Sequence, residues 1–197
     1  MPAPVNSGRN EAALDFLKTR RSRPGKTLTT PVPSRDELTD LLTIAARTPD
    51  HGKLEPWRFI VLERPALERI AALIAPLAAQ HGIPDDKVAA NLLHYGSSHL
   101  AVAVISSPKI SDKIPEIEQV YSAGAVCLAL LNAALAAGWG ANWLSGWSSH
   151  YPDFARDAFG LPPSEKIAGI IHIGTAPNMP PDRPRPDVDA ITTWMSE

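Results

Sequence analysis

The sequence predicts an α+β fold of three layers, with helices on both faces of a mixed central sheet. Four short runs (57–62, 100–105, 141–144 and 166–174) are apolar enough to be strands covered on both sides. Helix-like stretches separate them, but without the strict alternation of a doubly wound sheet. One long apolar stretch, 116–147, must be hidden through the middle of the molecule or against a second copy of it.

The elements follow in order. The chain 1–197 is expected to form one domain, with residues 1–9 and part of 177–197 extended or disordered. Asn10 is placed to cap a short helix through Thr19, with Ala13, Leu14, Phe16 and Leu17 on its apolar side. Pro24 and Gly25 stop the chain after Arg20-Arg21-Ser22-Arg23. Ser34 with Glu37 forms a capping-box pattern ahead of the stripe Leu38, Leu41, Leu42 and Ala45. Pro65 and Pro84 open two more helices, to about Ala79 and about His94. Between Val120 and Trp139 the clearly polar side chains are Ser122 and Asn132, and Ala and Leu dominate. Apolar residues fall on every face, so this helix of roughly 30 Å is expected to be buried all round. A membrane span is the rival reading. Asn132 interrupts the run, Glu116 and Glu118 precede it, and Gly138-Trp139-Gly140 stops it, so it is short for a span. A last helix, 151–159, is closed by Gly160, and Val188, Ile191 and Trp194 stand at helical spacing in the tail.

Hydrophobic residues make up 44% of the chain and charged residues 20%, ample for a core. The net charge of −2 gives no general case for nucleic acid or a membrane. The charge is uneven, however. Residues 1–26 hold six basic side chains against Glu11 and Asp15, which is +4 and leaves −6 for the rest of the chain. The N-terminal segment therefore suits a local anion. Cys127 is the one cysteine and lies in the apolar helix, so it reads as a packed thiol in a reducing compartment. No apolar signal core opens the chain, and a cytoplasmic location is expected. The six histidines lack metal-ligand spacing, so no metal is expected. No GxSxG elbow, P-loop, or GxGxxG after a strand is present.

Three stretches remain as candidate chemistry. The guanidinium forks and hydroxyl of Arg20-Arg21-Ser22-Arg23 can hold a phosphate, or the stretch is a solvated basic helix end. The loop 47–57 presents Arg47, His51 and Lys53 beside Leu54 and Trp57. It could hold a planar, polar-edged ring, or serve as a rigid connector. The run 138–147 sets small residues beside indoles, which makes either a flat-walled slot or an aromatic core corner.

In this order, and with Ile-Gly-Thr-Ala-Pro and Arg-Pro-Arg-Pro following, these stretches resemble the FMN-dependent nitroreductase family, in its compact YdjA-like branch of NAD(P)H nitroreductases. The likeness runs from about residue 11 to about residue 195. It implies a nitroreductase-like three-layer α/β/α fold and an interlocked homodimer with two FMN sites, each built from both subunits. Arg20, Arg21 and Ser22 would then hold the FMN phosphate and the polar edge of the flavin, and Arg183 and Arg185 would close on the phosphate. Arg47 and His51 would reach the partner's FMN, and Trp143, Leu144 and Ser145 would line the flavin. Ala133, Ala134, Leu135, Ala136, Ala137 and Gly138 correspond to a stretch associated with the nicotinamide dinucleotide. Leu54 and Glu55 depart from the Asn and Gln often found in that loop, and the long inserted helices of larger relatives are missing. The activity implied is ping-pong hydride transfer from NADH or NADPH through FMN to a nitroaromatic, quinone or similar oxidant. The alternatives are a different flavin reaction on the same fold (dehydrogenation, dehalogenation or flavin fragmentation), or a non-enzymatic homodimer that binds an anion or a protein.

Overall fold

The computed structural model describes residues 8–196, so the expectation for the first nine residues falls, up to residue 7, outside the described part. Helix α1 (Glu11–Thr19) starts where Asn10 Oδ1 accepts the Ala13 N–H at 3.1 Å. Helix α2 (Arg35–Ala45) carries the expected capping box. The Glu37 N–H donates to Ser34 Oγ, and the Ser34 N–H donates to Glu37 Oε2 at 2.8 Å. Then come β1 (Trp57–Glu63), α3 (Arg64–His81), α4 (Asp85–Gly96), β2 (Leu100–Ser106) and α5 (Glu116–Ala136). β3 (Gly140–Leu144), α6 (Pro152–Phe159) and β4 (Lys166–Gly174) follow. Pro76 sits inside α3, at a cost of about 3 kcal/mol. The helix persists because Leu67, Ile70 and Ile74 are fully buried on one side of it, each contributing roughly 1.5–3 kcal/mol.

The strand order is β1-β2-β4-β3, and all three pairings are antiparallel. This corrects the expected mixed sheet for the described strands. β2, α5 and β3 form a crossover whose two strands do run parallel, but β4 lies between them and pairs antiparallel with both.

β2 shows the three layers residue by residue. Val102 and Val104 face Leu38 and Leu41 of α2 and Val126 and Leu130 of α5. Ala101, Ala103 and Ile105 face Ile70 and Ile74 of α3, Tyr95 of α4 and Phe154 of α6. Alternation along the strand thus feeds two separate apolar cores.

α5 is buried on one side, not all round. Val126, Cys127, Leu130 and Ala134 face the sheet, whereas Ile117, Tyr121 and Leu128 are 52%, 68% and 46% exposed. One sheet can cover only one side of a helix. Among the described residues α5 is the one helix long and apolar enough to span a bilayer by length and composition, yet its inner face forms core beneath β2 and β4. Burial pushes the Cys127 thiol up to about 12, so it stays protonated and unreactive at neutral pH. In the tail, the helical spacing gives only a 3-10 turn, Asp189–Ile191. Val188, Ile191 and Trp194 are exposed because none of the described residues covers them.

The segment around Leu28 crosses the ends of β3 and β4, where Thr29 and Thr175 exchange backbone hydrogen bonds of 2.9 Å. A Cβ at Gly140 would stand 2.6 Å from Leu28 Cδ2 and from Ala176 Cβ. Gly140→Ala is therefore expected to cost about 1–3 kcal/mol in urea unfolding, and an unchanged midpoint would show that the crossing segment yields freely.

His172 on β4 is buried with Nδ1 2.9 Å from Ser98 Oγ. Burial, reinforced by His94, lowers its pKa to about 3. The folded value lies below the unfolded one near 6.5, so the ring's contribution is complete above about pH 6.5 and is lost as pH falls from there towards 3. Unfolding free energy should drop by about 2 kcal/mol between pH 6.5 and 5 from this group. A His172→Asn variant that shows the same drop would assign it elsewhere.

Candidate functional site

Arg20, Arg21 and Ser22 follow α1, and Arg183 and Arg185 lie some 160 residues later in the tail. The fold brings all five to one cleft of about 280 Å³, completed by Pro184 and Pro186. The Arg20 guanidinium donates to Ser22 Oγ at 3.0 Å, while its Nε is buried and has no partner among the described residues. Arg21 donates to Pro181 O at 2.5 Å and to Asp182 Oδ1 at 3.0 Å, and Arg185 donates to the same carboxylate at 2.8 Å. Burial, then Arg185 and Arg21, hold the Arg20 guanidinium below its ordinary value, as expected where cations crowd. The Arg183 N–H, then the Arg21 and Arg185 guanidinium groups, lower the Asp182 carboxyl, keeping it ionised as their counter-charge. Sequence reasoning missed Asp182. Its signal was a lone acid between Pro-Pro and Arg-Pro-Arg-Pro.

A second cavity, about 270 Å³, opens from Arg20 and Arg21 towards Leu135, Gly138, Trp139 and Gly140, with Phe16 and Met179 on its wall. The N-terminal arginine segment is fixed to β3, since the Arg23 N–H donates to Ala141 O at 2.8 Å and Leu144 Cδ1 lies 3.0 Å from where a Cβ on Gly25 would stand. Trp143, Leu144 and Ser145 are half-buried, so they lie beside the arginine segment with part of their surface free. The Trp143 indole crosses Gly169, where a Cβ would come within 2.1 Å of Nε1. The stretch from Ala133 to Gly138 does not act as one surface. Ala133 and Ala134 turn into the core, whereas Ala136, Ala137 and Gly138 are exposed and Leu135 and Gly138 line the second cavity.

Arg47 and His51 are placed elsewhere. His51 Nδ1 lies 2.7 Å from Glu118 Oε2, at the first turn of α5. Trp57 Nε1 donates to Ser122 Oγ at 3.1 Å, and that hydroxyl donates to Pro49 O at 3.0 Å, so loop 47–57 is tied to the front half of α5. The cavity beside Arg20 lies at the other end, at Leu135. Glu118 and Leu135 are separated by roughly 26 Å of helix. One chain therefore holds the two halves of the expected site at opposite ends of α5. Within the loop, Leu54 is half-buried and Glu55 exposed, and Lys53 and Glu55 hold left-handed φ values of 52° and 48°.

Ser122→Ala would strand the Trp57 N–H and remove the tie to Pro49 O. It should lower stability by about 1–3 kcal/mol. An unchanged denaturant midpoint would show that the tether contributes nothing.

The family model described as Nitroreductase family matches residues 17–175. The Escherichia coli protein YdjA, provisionally named an NAD(P)H nitroreductase, is 33% identical over 163 residues, covering 83% of this chain and 87% of its own. Among solved structures, a nitroreductase-like family protein from Bacillus cereus superposes with a TM-score of 0.75 at 23% identity, covering 93% of this chain and 96% of that one. A Desulfovibrio desulfuricans protein solved in complex with FMN superposes with a TM-score of 0.70 at 18% identity, covering 96% and 100%. With a family match over most of its length and a relative one-third identical across it, this chain belongs to the nitroreductase family.

Proposed function

We propose that this protein is an FMN-dependent NAD(P)H oxidoreductase of nitroaromatics, quinones or similar oxidants, active as a homodimer whose two subunits share each flavin site. The observation that carries it is the cleft where Arg20, Arg21, Ser22, Arg183 and Arg185 converge beside β3, with Arg20 Nε buried and unpartnered. Four guanidinium groups and a hydroxyl suit a phosphate dianion, to which arginine forks bind bidentately. The FMN of the Desulfovibrio neighbour and the names of the curated relatives support the same cofactor and reductant.

The residues present fit that group. Arg20, Arg21, Arg183 and Arg185 would hold the phosphate and Ser22 would donate to it. The half-buried Trp143, Leu144 and Ser145 offer a flat wall for an aromatic ring and exclude water from one side of it. Bound FMN would supply the redox chemistry, taking a hydride from NADH or NADPH and returning reducing equivalents to the oxidant in alternate half-reactions. Among the described residues no paired acid and base lines the cleft, and orientation of stacked rings supplies most of the help such a transfer needs. Arg47 and His51, stranded at the far end of α5, are suited to complete a second copy's site. The exposed face of α5 and the exposed Val188, Ile191 and Trp194 are apolar surface that a second copy would cover.

The purified protein should be yellow, with about one FMN per chain, and should oxidise NADH or NADPH in the presence of a nitroaromatic or quinone. Double-reciprocal plots should be parallel, and intersecting lines would rule out alternating half-reactions. Arg20→Ala should weaken FMN binding about 10–100-fold, the worth of one charge-assisted contact. A colourless protein that takes up no FMN would overturn the whole reading.

A further inference from the structure

β3 leaves the sheet after Leu144, its last residue paired with β4, opposite Ile170. The turn that follows, 145–149, begins at Ser145 on the wall offered to the flavin ring and carries Gly146 at a left-handed φ of 68°. Helix α4 and the turn itself fasten it. The Trp147 indole N–H donates to Lys87 O at 3.1 Å. Asn91 Nδ2 donates to Ser148 Oγ at 2.6 Å, and Asn91 Oδ1 packs against Gly146, 2.0 Å from where a Cβ would stand. Ser149 Oγ donates to Ser145 O. Asn91, Ser148 and Ser149 are buried. The Tyr95 hydroxyl, shielded from solvent and without a partner among the described residues, lies beside the two serines. Together they form a polar island next to the apolar core of Tyr95, Phe154 and Ile170. An apolar side chain would be cheaper to bury there than an amide, but a bonded amide fixes one arrangement of its neighbours.

We infer that Asn91 is a positioning residue for the flavin ring: its amide, held between Ser148 and Gly146, sets the turn 145–149 and with it the angle at which Ser145 and the Ser145–Gly146 peptide meet the ring. This rests on the FMN reading proposed above. Asn91 lies behind the wall and acts through the turn, not by contact with the cofactor. The peptide between Ser145 and Gly146 is trans, so with Ser145 O turned inward to Ser149 Oγ the Gly146 N–H points the opposite way, away from the polar island. Glycine at 146 is needed twice over, for its positive φ and for the close approach of Asn91. It is also the residue with the most backbone freedom, so the peptide beside it can swing unless something blocks it. The Asn91 amide is that block. Trp147 fastens the turn one residue further on, at Lys87, so loss of Asn91 frees the peptide nearest the ring while the turn stays attached to α4. The arginine segment is bonded to β3 at Ala141, ahead of the turn. Phosphate and ring are therefore held by separate parts of the chain, and Asn91 bears on the second.

Asn91→Ala tests this in the full-length, FMN-loaded protein. It should take up as much FMN as the wild type, since the arginine cleft is untouched. The visible circular dichroism of the bound flavin should change. The rate of flavin reduction by NADH or NADPH in a single turnover should fall about 10–100-fold, the effect of a displacement on the order of 1 Å. Ser148→Ala should reproduce both changes, and the double variant should go no further than Asn91→Ala alone, because the two side chains act as one unit. Ile70→Val, in the apolar core that includes Tyr95, should lower the unfolding midpoint and leave the flavin dichroism and the reduction rate at wild-type values. Where Asn91→Ala fails to fold, Ser148→Ala, which leaves α4 unaltered, carries the same expectation. Unchanged flavin dichroism and reduction rate in a folded Asn91→Ala or Ser148→Ala protein overturn the positioning role and leave the FMN reading standing. A wild-type protein that takes up no FMN overturns both.

Discussion

The structure depends on how α5 places its two apolar faces. The inner face closes the core under β2 and β4, with α2 alongside, and among the described residues no further strand or helix covers the outer one. The helix also sets distances. Its first turns carry the loop that bears Arg47 and His51, through the Glu118 and Ser122 contacts. Its last turn and the glycine stop after it border the arginine cavity. A continuous 21-residue helix cannot bend these two groups together, so within one chain they stay apart. Surplus apolar surface and a divided site are two consequences of the same element.

The cleft at the other end is governed by charge. Two guanidinium groups about 5–6 Å apart repel by roughly 3 kcal/mol at an effective dielectric near 20, less where solvent screens them. Four such groups border this cleft, and of these guanidinium groups the carboxylate of Asp182 bonds those of Arg21 and Arg185. The prolines at 180, 181, 184 and 186 restrict the tail's freedom, so less entropy is lost in holding Arg183 and Arg185 against Arg21. The positive field left over favours a dianion, and Arg20 Nε, buried beside Ser22, marks where one more acceptor would sit.

Elements marked by local chemistry were legible in the sequence. Asn10, Ser34 with Glu37, the prolines at 65 and 84, and Gly160 are short-range signals, and the structure uses each at a helix end. Pairing order was not legible, because β4 enters between β2 and β3 through long-range packing that no local pattern encodes. The all-round burial expected for α5 failed for a related reason. Composition says how much apolar surface exists, not how much of it one chain can cover. In the site, the basic residues announced themselves by clustering, but the carboxylate that joins them across 161 positions could be recognised only once the tail was seen folded back. The tail's helical spacing misled because spacing without a surface to pack against does not stabilise a helix.

The loop between α2 and β1 is tied to the front half of α5. Lys53 and Glu55 sit in left-handed conformations that cost side-chain-bearing residues of order 1 kcal/mol or more each. Such strain persists only where surrounding contacts over-determine the backbone. Here they do so on one side. The Leu54 N–H donates to Asp50 Oδ1 at 2.6 Å, Pro49 O is held by Ser122, and Gly52 lies so close to Ile114 that an added Cβ would come within 2.4 Å of its Cδ1. Arg47, His51, Lys53 and Glu55, in contrast, all face outward. The loop thus holds its backbone strain through contacts on its inner side and presents its charged side chains on an exposed face. The departure at 54 and 55 divides accordingly, with Leu54 packing the loop and Glu55 adding one negative charge to the face it presents.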